Sequence, residues 1–285
     1  MKSRWIINLL LLAAIVILGL IARYEPGIET PEKSQAITDL KAKQVRRIHI
    51  NRPLRSDLVL EKQASKQWLI KRAASIPADD FKVRALTRLV EQRPARSYPV
   101  DKMNLADLQL DPPYATVIFN DISIEFGLLE PIDDLRYVRV STQVHLIPDN
   151  YLQLMETSFT QFVRPTLFSK AEQINAIQLP HLLVQKIDDA WETQPSQPAN
   201  KAALQQFFNL WQQAGTQYIQ LADPGQDGEP VEVSIANRKS PIQFLVVKRE
   251  PDLILARPDY GIQYHLGNRS EAMLTLDAAQ ADIKD

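Results

Sequence analysis

The side chains best suited to acid–base or metal chemistry are four histidines, and their spacing keeps them apart. His49, His145, His181 and His265 form no His-Glu-x-x-His motif and no pair at helical spacing, which are the arrangements that bring two imidazoles to one metal ion. His145 and His265 hold equivalent places in two similar stretches of chain, so we expect them to lie far apart. We interpret all four as structural histidines and predict no metal site.

The acidic pairs point to local structure rather than to catalysis. Asp79–Asp80, Asp133–Asp134 and Asp188–Asp189 are adjacent in the chain, whereas acid–base catalysis needs two carboxyl groups that face each other across a cleft. We interpret the three pairs as a helix cap, a loop and a hairpin turn. The stretch "DPGQDGE" from Asp223 to Glu229 lacks the spacing of a calcium-binding loop.

Other catalytic classes lack their sequence signatures. The chain has eight glycines and no cysteine, and it contains no phosphate-binding glycine loop, no G-x-S-x-G elbow and no thiol nucleophile. A net charge of −1 argues against a nucleic-acid partner, which requires a concentrated basic surface. We therefore predict no catalytic residue, no cofactor and no enzymatic activity.

The predicted strands and helices that would position a site occur twice in the sequence, in the same order. The stretches Ser65–Tyr98 and Asp188–Tyr218 each contain a Trp on a predicted strand, a loop with Pro, an amphipathic helix and a final Tyr. The paired landmarks are Trp68 with Trp191, Tyr98 with Tyr218, and His145 with His265. Recurrence of these landmarks in one order indicates internal duplication, and the repeated Trp is typical of core filling.

The resulting prediction for the fold class is α+β: an N-terminal transmembrane helix followed by two tandem related units, each an antiparallel sheet with a packed helix. Alternating apolar residues predict the strands, and apolar residues at helical spacing predict the helices. The predicted boundaries are 45–148 for the first unit, 149–169 for a helical connector and 170–285 for the second unit.

The N-terminus predicts a membrane anchor. Residues Trp5 to Ala22 read "WIINLLLLAAIVILGLIA", which as a helix is roughly 27 Å long against ~30 Å of bilayer hydrocarbon. The basic residues Lys2 and Arg4 precede this span, so residues 1–4 are predicted to be a cytoplasmic tail. Residues 23–44 then form a juxtamembrane stalk, and the bulk of the chain is predicted to be periplasmic at a bacterial inner membrane. A cleaved signal peptide is the alternative.

Several stretches resemble a known family. The segments "DDFKVRALTRLVEQ", "LADLQLDPPYATVIF" and "RYVRVSTQVHLIP" are similar to the bacterial domain-of-unknown-function 4340 family, and the resemblance runs from about Val45 to Leu266. The chain departs from the family pattern at "LQLDPP", where relatives more often carry a Gly before the Leu. The resemblance implies an accessory role in the cell envelope beside ABC-transporter components, and it carries over no catalytic residues.

Two functional hypotheses follow. The first is a non-enzymatic, single-pass inner-membrane protein with a periplasmic binding or scaffolding region, whose partners are the lipid bilayer and a membrane or envelope protein. The alternative is a ligand-binding module for a glycan or lipid, in a cleft between the two units. Phe159, Phe162 and Phe168 discriminate them: exposure around a pocket favours the ligand binder, and packing as a core favours the scaffold.

Overall fold

β-strands are the main secondary structure of the described chain. The computed structural model describes residues 5, 11–19, 35–52, 55–188, 190–196 and 201–276. Within these ranges the strands form one nine-stranded and one eight-stranded sheet, and neighbouring strands are antiparallel. Strands form where apolar and polar residues alternate, as in Ala115–Phe119, where every second side chain is buried.

The first sheet has the strand order β4-β3-β2-β1-β6-β7-β8-β9-β5. Its strands are β1 (Arg47–Arg52), β2 (Arg55–Lys62), β3 (Trp68–Lys71), β4 (Ser75–Pro77), β5 (Arg96–Pro99), β6 (Ala115–Phe119), β7 (Ile122–Leu129), β8 (Leu135–Val140) and β9 (Gln143–Pro148).

The second sheet has the order β12-β11-β10-β14-β15-β16-β17-β13. Its strands are β10 (Ile174–Leu179), β11 (Leu182–Ile187), β12 (Ala190–Gln194), β13 (Tyr218–Leu221), β14 (Glu229–Ile235), β15 (Ile242–Lys248), β16 (Ile254–Arg257) and β17 (Ile262–His265).

Both sheets use the same unusual connection. A meander of consecutive strands, β1 to β4 in the first sheet and β10 to β12 in the second, is followed by a helix. The next strand does not pair with its neighbours in the chain. That strand, β5 or β13, pairs instead with the last strand of its own sheet, β9 or β17. The shared order is therefore β3-β2-β1-β6-β7-β8-β9-β5 in the first sheet and β12-β11-β10-β14-β15-β16-β17-β13 in the second, with β4 as an additional edge strand in the first.

The helices cover the sheets and are mostly short. They are α1 (Asp80–Thr87), α2 (Leu152–Glu156), α3 (Lys201–Gln212) and α4 (Ser270–Leu274), with 3-10 turns at Ala42–Gln44, Arg88–Glu91, Val100–Lys102 and Phe159–Phe162. Asp79 caps α1 by accepting a hydrogen bond from the backbone N–H of Phe81. The apolar stripe of α3 is buried, and Trp211 on it donates its indole N–H to the carbonyl of Met273.

Residues Phe159–Phe168, which we call the strap, join the two sheets. On one side, Asp79 N–H donates to the carbonyl of Phe162, and Arg164 N–H donates to the carbonyl of Pro77, the last residue of β4. On the other side, Leu167 N–H donates to the carbonyl of Ala214, and the strap residue Pro165 accepts from the N–H of Thr216, just before β13. The core is continuous across the strap.

The predicted fold class is wrong. The structure is mostly β, and no helix in the described ranges is long and apolar enough to cross a membrane. The helical residues of the predicted anchor that are described are Trp5 and 11–19; Ala22, the predicted tail 1–4 and residues 23–34 of the predicted stalk lie outside the described residues. The apolar pattern overestimates the helical content of the chain. For example, α1 ends at Thr87, and the chain continues there only as a 3-10 turn.

Candidate functional site

A cavity of about 560 Å³ lies at one end of the first sheet. We call it the Arg52–Tyr114 cavity. Its walls come from the end of β1, the start of β2, the loop before β6, and α2. The side chains around it are mainly apolar or aromatic, with four charged groups among them. The lining consists of Arg52, Arg55, Ala106, Gln109, Asp111, Pro112, Pro113, Tyr114, Ala115, Met155 and Glu156.

Arg52 is held in one orientation by backbone carbonyls. Its Nη1 donates to the carbonyl of Met155 at 2.9 Å and of Thr157 at 2.6 Å, and its Nη2 donates to the carbonyl of Ser56. These bonds tie the end of β1 to α2, so they also set the width of the cavity. Burial lowers the pKa of the Arg52 guanidinium, and the neighbouring positive charge of Arg55 lowers it further.

Tyr114 and Glu156 form a hydrogen-bonded pair that also lines the cavity. The phenol of Tyr114 donates to Oε1 of Glu156 at 2.5 Å. This hydrogen bond to a carboxylate is the largest cause of the raised pKa of Tyr114. The phenol therefore stays protonated at neutral pH, and its ring forms an exposed apolar surface beside the cavity.

His145 lies in a second cavity, of about 640 Å³, beside β5. Its Nδ1 lies 2.8 Å from the hydroxyl of Ser97, which pairs with it across the β5–β9 ladder. Burial lowers the pKa of His145, so the ring is neutral at pH 7. Ser-His catalysis also needs a third group that orients the imidazole, and His145 has no hydrogen bond to a carboxylate among the described residues.

His265 has different partners at the corresponding position of β17. Its Nδ1 lies 2.9 Å from Oδ2 of Asp252, and its ring stacks on Tyr218 with the centroids 4.1 Å apart. The other carboxylate oxygen of Asp252 accepts from the N–H of Gly267. These contacts fix a loop to the end of the sheet. Within the described ranges, no group of three His, Cys, Asp or Glu residues could hold a metal ion.

The two predicted tryptophan landmarks both lie on the third strand of a meander. Trp68 is buried and pairs with Lys62, whose Nζ lies 5.7 Å from the ring centroid. Trp191 pairs with Lys186 and packs on Phe208 with the ring centroids 4.3 Å apart. Both side chains pack against apolar neighbours, and neither lines a cavity described above.

The predicted tyrosine landmarks differ in register by one residue. His145 pairs with Ser97 in the first sheet, whereas His265 pairs with Tyr218 in the second, and Tyr98 pairs with Val144. A shift of one residue moves a side chain to the other face of a sheet. Of the other predicted positions, Trp5 is exposed and Ala22 lies outside the described residues. The structure does not bring the predicted landmarks together at one site.

Comparison with protein families matches residues 68–225 to the family described as "Domain of unknown function (DUF4340)". The match covers more than half of the chain. The chain belongs to the DUF4340 family. The resemblance seen in the sequence is thereby confirmed, although over a shorter range. Comparisons with curated proteins and with solved structures found no significant match.

The residues that match the DUF4340 family include the whole strap. The matched residues run from β3 in the first sheet to the loop after β13 in the second. They include Tyr114 and Glu156, whereas Arg52 and Arg55 precede them. No sequence motif indicates the Arg52–Tyr114 cavity. The segment "LQLDPP", singled out in the sequence, contributes Gln109, Asp111, Pro112 and Pro113 to the lining of the cavity.

Proposed function

We propose that the chain is a non-enzymatic binding and scaffolding protein. The observation that supports this proposal is the burial of the strap phenylalanines: Phe159, Phe162 and Phe168 are 8%, 0% and 2% exposed. Aromatic side chains packed in this way hold two sheets in a fixed relation, which suits a body that positions partners. The same burial leaves no aromatic cleft for a ligand at the strap.

The finer proposal is that the partner is a subunit of an ABC-type transporter or another envelope complex. Photo-crosslinkers placed at the exposed apolar residues Phe81 and Ile132, in cells, test it when the captured proteins are identified by mass spectrometry. We expect one transporter or envelope subunit to be captured reproducibly. A crosslinker at exposed Lys66 is the matched control. Capture of no such subunit from either apolar position would contradict the proposal.

We also propose that residues 11–19 contact lipid. In this helical stretch the apolar side chains are exposed, with Leu12 at 61% and Ile15 at 65%. Exposed apolar surface of this kind marks an interaction site. The full chain should float with phosphatidylcholine vesicles in a density gradient, and the Leu12→Glu, Ile15→Glu double variant should not. Equal flotation of both chains would exclude this segment as the contact.

The proposed localisation is periplasmic. The chain has no cysteine, so a Ser65→Cys variant places a single thiol on an exposed turn. A membrane-impermeant maleimide should label this thiol in intact spheroplasts. Labelling only after lysis would place the sheets on the cytoplasmic side instead.

A second candidate function, ligand binding, is favoured by one observation. The Arg52–Tyr114 cavity has the size typical of small-molecule sites, which is about 300–1,000 Å³, and it combines apolar walls with a few charged groups. It lies in the first sheet and not at the strap.

A further inference from the structure

The Arg52–Tyr114 cavity contains two guanidinium groups that repel each other. Arg52 and Arg55 pair across the β1–β2 hairpin, and both line the cavity. The charge of Arg55 lowers the pKa of Arg52, and the carboxylate of Asp57 offsets part of this effect. Arg52 cannot move away, because three backbone carbonyls hold its Nη atoms. An anion placed between the two groups would remove this repulsion.

The hydrogen-bonding capacity of the two arginines is not used up within the protein. The guanidinium of Arg55 has no hydrogen bond or ion pair to any described residue. The nearby carboxylate of Asp57 is 2.7 Å from His49 Nε2 and is turned toward that ring. The Nε–H of Arg52 is buried and unpaired among the described residues. Guanidinium donors in such a state favour a carboxylate or phosphate ligand.

The two acidic groups of the cavity offset this positive pair only weakly, because both are exposed to solvent. Glu156 accepts the hydrogen bond of the Tyr114 phenol at 2.5 Å. Asp111 is exposed to solvent, and it has no ion pair to a described residue. Exposed charges in water interact weakly, so Asp111 adds little to the field at the arginines.

The rest of the lining is suited to an apolar body. Met155 is fully buried beneath the cavity, and Pro112, Pro113 and the ring of Tyr114 form a side wall. These groups offer no charge and, apart from the tyrosine hydroxyl, no side-chain hydrogen bond. A ligand that binds here needs an apolar part as well as a charged head.

From this arrangement we infer that the Arg52–Tyr114 cavity binds a small amphipathic anion, with a carboxylate or phosphate head at Arg52 and Arg55 and an apolar body against Met155, Pro113 and Tyr114. This inference is independent of the scaffolding proposal, because the cavity is in the first sheet alone. The crosslinking experiment described above and the binding experiment described next therefore distinguish a scaffold without a ligand from a ligand binder without an envelope partner.

The test uses three probes that share one apolar body and differ in charge: 4-phenylbutyrate, 4-phenylbutanol and 4-phenylbutylammonium. Binding to the full-length chain, supplied with phosphatidylcholine vesicles, is measured by isothermal titration calorimetry. We expect 4-phenylbutyrate to bind at least tenfold more tightly than the other two. Equal affinity for all three, or a preference for the ammonium probe, would overturn the inference.

Two variants and a control locate the site. Arg55→Gln removes the unpaired guanidinium and should weaken 4-phenylbutyrate binding about tenfold, because charge-assisted hydrogen bonds are lost. Ala106→Trp fills the cavity from an exposed loop and should abolish binding. Arg46→Gln changes an exposed arginine outside the cavity and should have no effect. Unchanged binding by both cavity variants, with circular dichroism showing folded protein, would rule the cavity out.

A change of vesicle lipid distinguishes two sources of the anion, a lipid head group and a free solute. If the natural ligand is a lipid head group, phosphatidylglycerol vesicles should compete with 4-phenylbutyrate. If it is a free solute, affinity should be the same in both kinds of vesicle. Either result supports an anion site, and each names a different source.

Discussion

At the scale of single residues, His145 makes the stability of the first sheet depend on pH. Its pKa lies below the ordinary value of 6.5 because the ring is buried. The folded state therefore takes up a proton less readily than the unfolded chain. The contribution of the neutral His145 ring to the free energy of unfolding is therefore complete above pH 6.5. It is lost as the pH falls from there toward the folded-state pKa.

The first prediction tests this linkage. The free energy of unfolding, measured by urea denaturation at a series of pH values, should fall in wild type as the pH drops below 6.5. The His145→Gln variant should lose much of this pH dependence, since it removes the group that titrates. His181→Gln, at an exposed turn, is the matched control. An unchanged slope in His145→Gln would show that another group is responsible.

The second residue-scale prediction concerns Gly127. A Cβ at this position would lie 2.3 Å from the carbonyl oxygen of Leu108 and 2.9 Å from Cγ of Leu110. The Gly127 carbonyl also accepts a hydrogen bond from Nη1 of Arg136 at 2.6 Å, which limits how far the backbone can shift. Gly127→Ala should lower the free energy of unfolding by about 2 kcal/mol.

Gly215→Ala provides the control for that substitution. Its nearest neighbour to an added Cβ is the carbonyl oxygen of Pro165 at 3.8 Å, an ordinary contact. The change in stability should stay within about 0.5 kcal/mol. Equal losses in the two variants would contradict the assignment of the cost to the clash at Gly127.

At the scale of elements, the strap carries the contact between the sheets. Phe162 is fully buried, and its carbonyl accepts the hydrogen bond from Asp79 N–H at 2.7 Å. Phe162→Ala leaves this backbone bond in place but opens a cavity in the core. We expect a loss of about 3–5 kcal/mol in urea denaturation. Phe81→Ala, at an exposed position on α1, should change stability little, and a comparable loss there would contradict the assignment.

The strands were predictable from sequence because alternation is a local signal. The segment "YATVIFNDISIEFG" predicts a hairpin that turns at Asn120–Asp121, and β6 and β7 form it. Asn120 adopts the positive φ of 53° that such a turn requires. Each side of this hairpin needs only its own residues and its immediate partner to form.

The strap and the cavity were not predictable in this way. The sequence predicts a helical connector over 149–169. The structure has only α2 and a 3-10 turn there, because hydrogen bonds to both sheets hold the following residues extended. The cavity joins the end of β1 to a loop before β6 and to α2. No local pattern signals contacts between segments so distant in sequence.

At the scale of the whole molecule, a continuous core predicts one unfolding transition. Trp68 lies in the first sheet, whereas Trp191 and Trp211 belong to the second sheet and its helix. Trp→Phe variants that leave fluorescence from one sheet at a time should give coincident urea midpoints. Separated midpoints would show that the sheets unfold independently and that the strap couples them only weakly.

The strand order also constrains how the chain can fold during its synthesis. On the ribosome, β5 emerges before β6 to β9, yet its partner is β9. A nascent chain must therefore hold this segment unpaired until Pro148 has left the exit tunnel. The first sheet can then close before β10 has emerged from the tunnel, while its hydrogen-bonded link to the second must wait for residues 214–216.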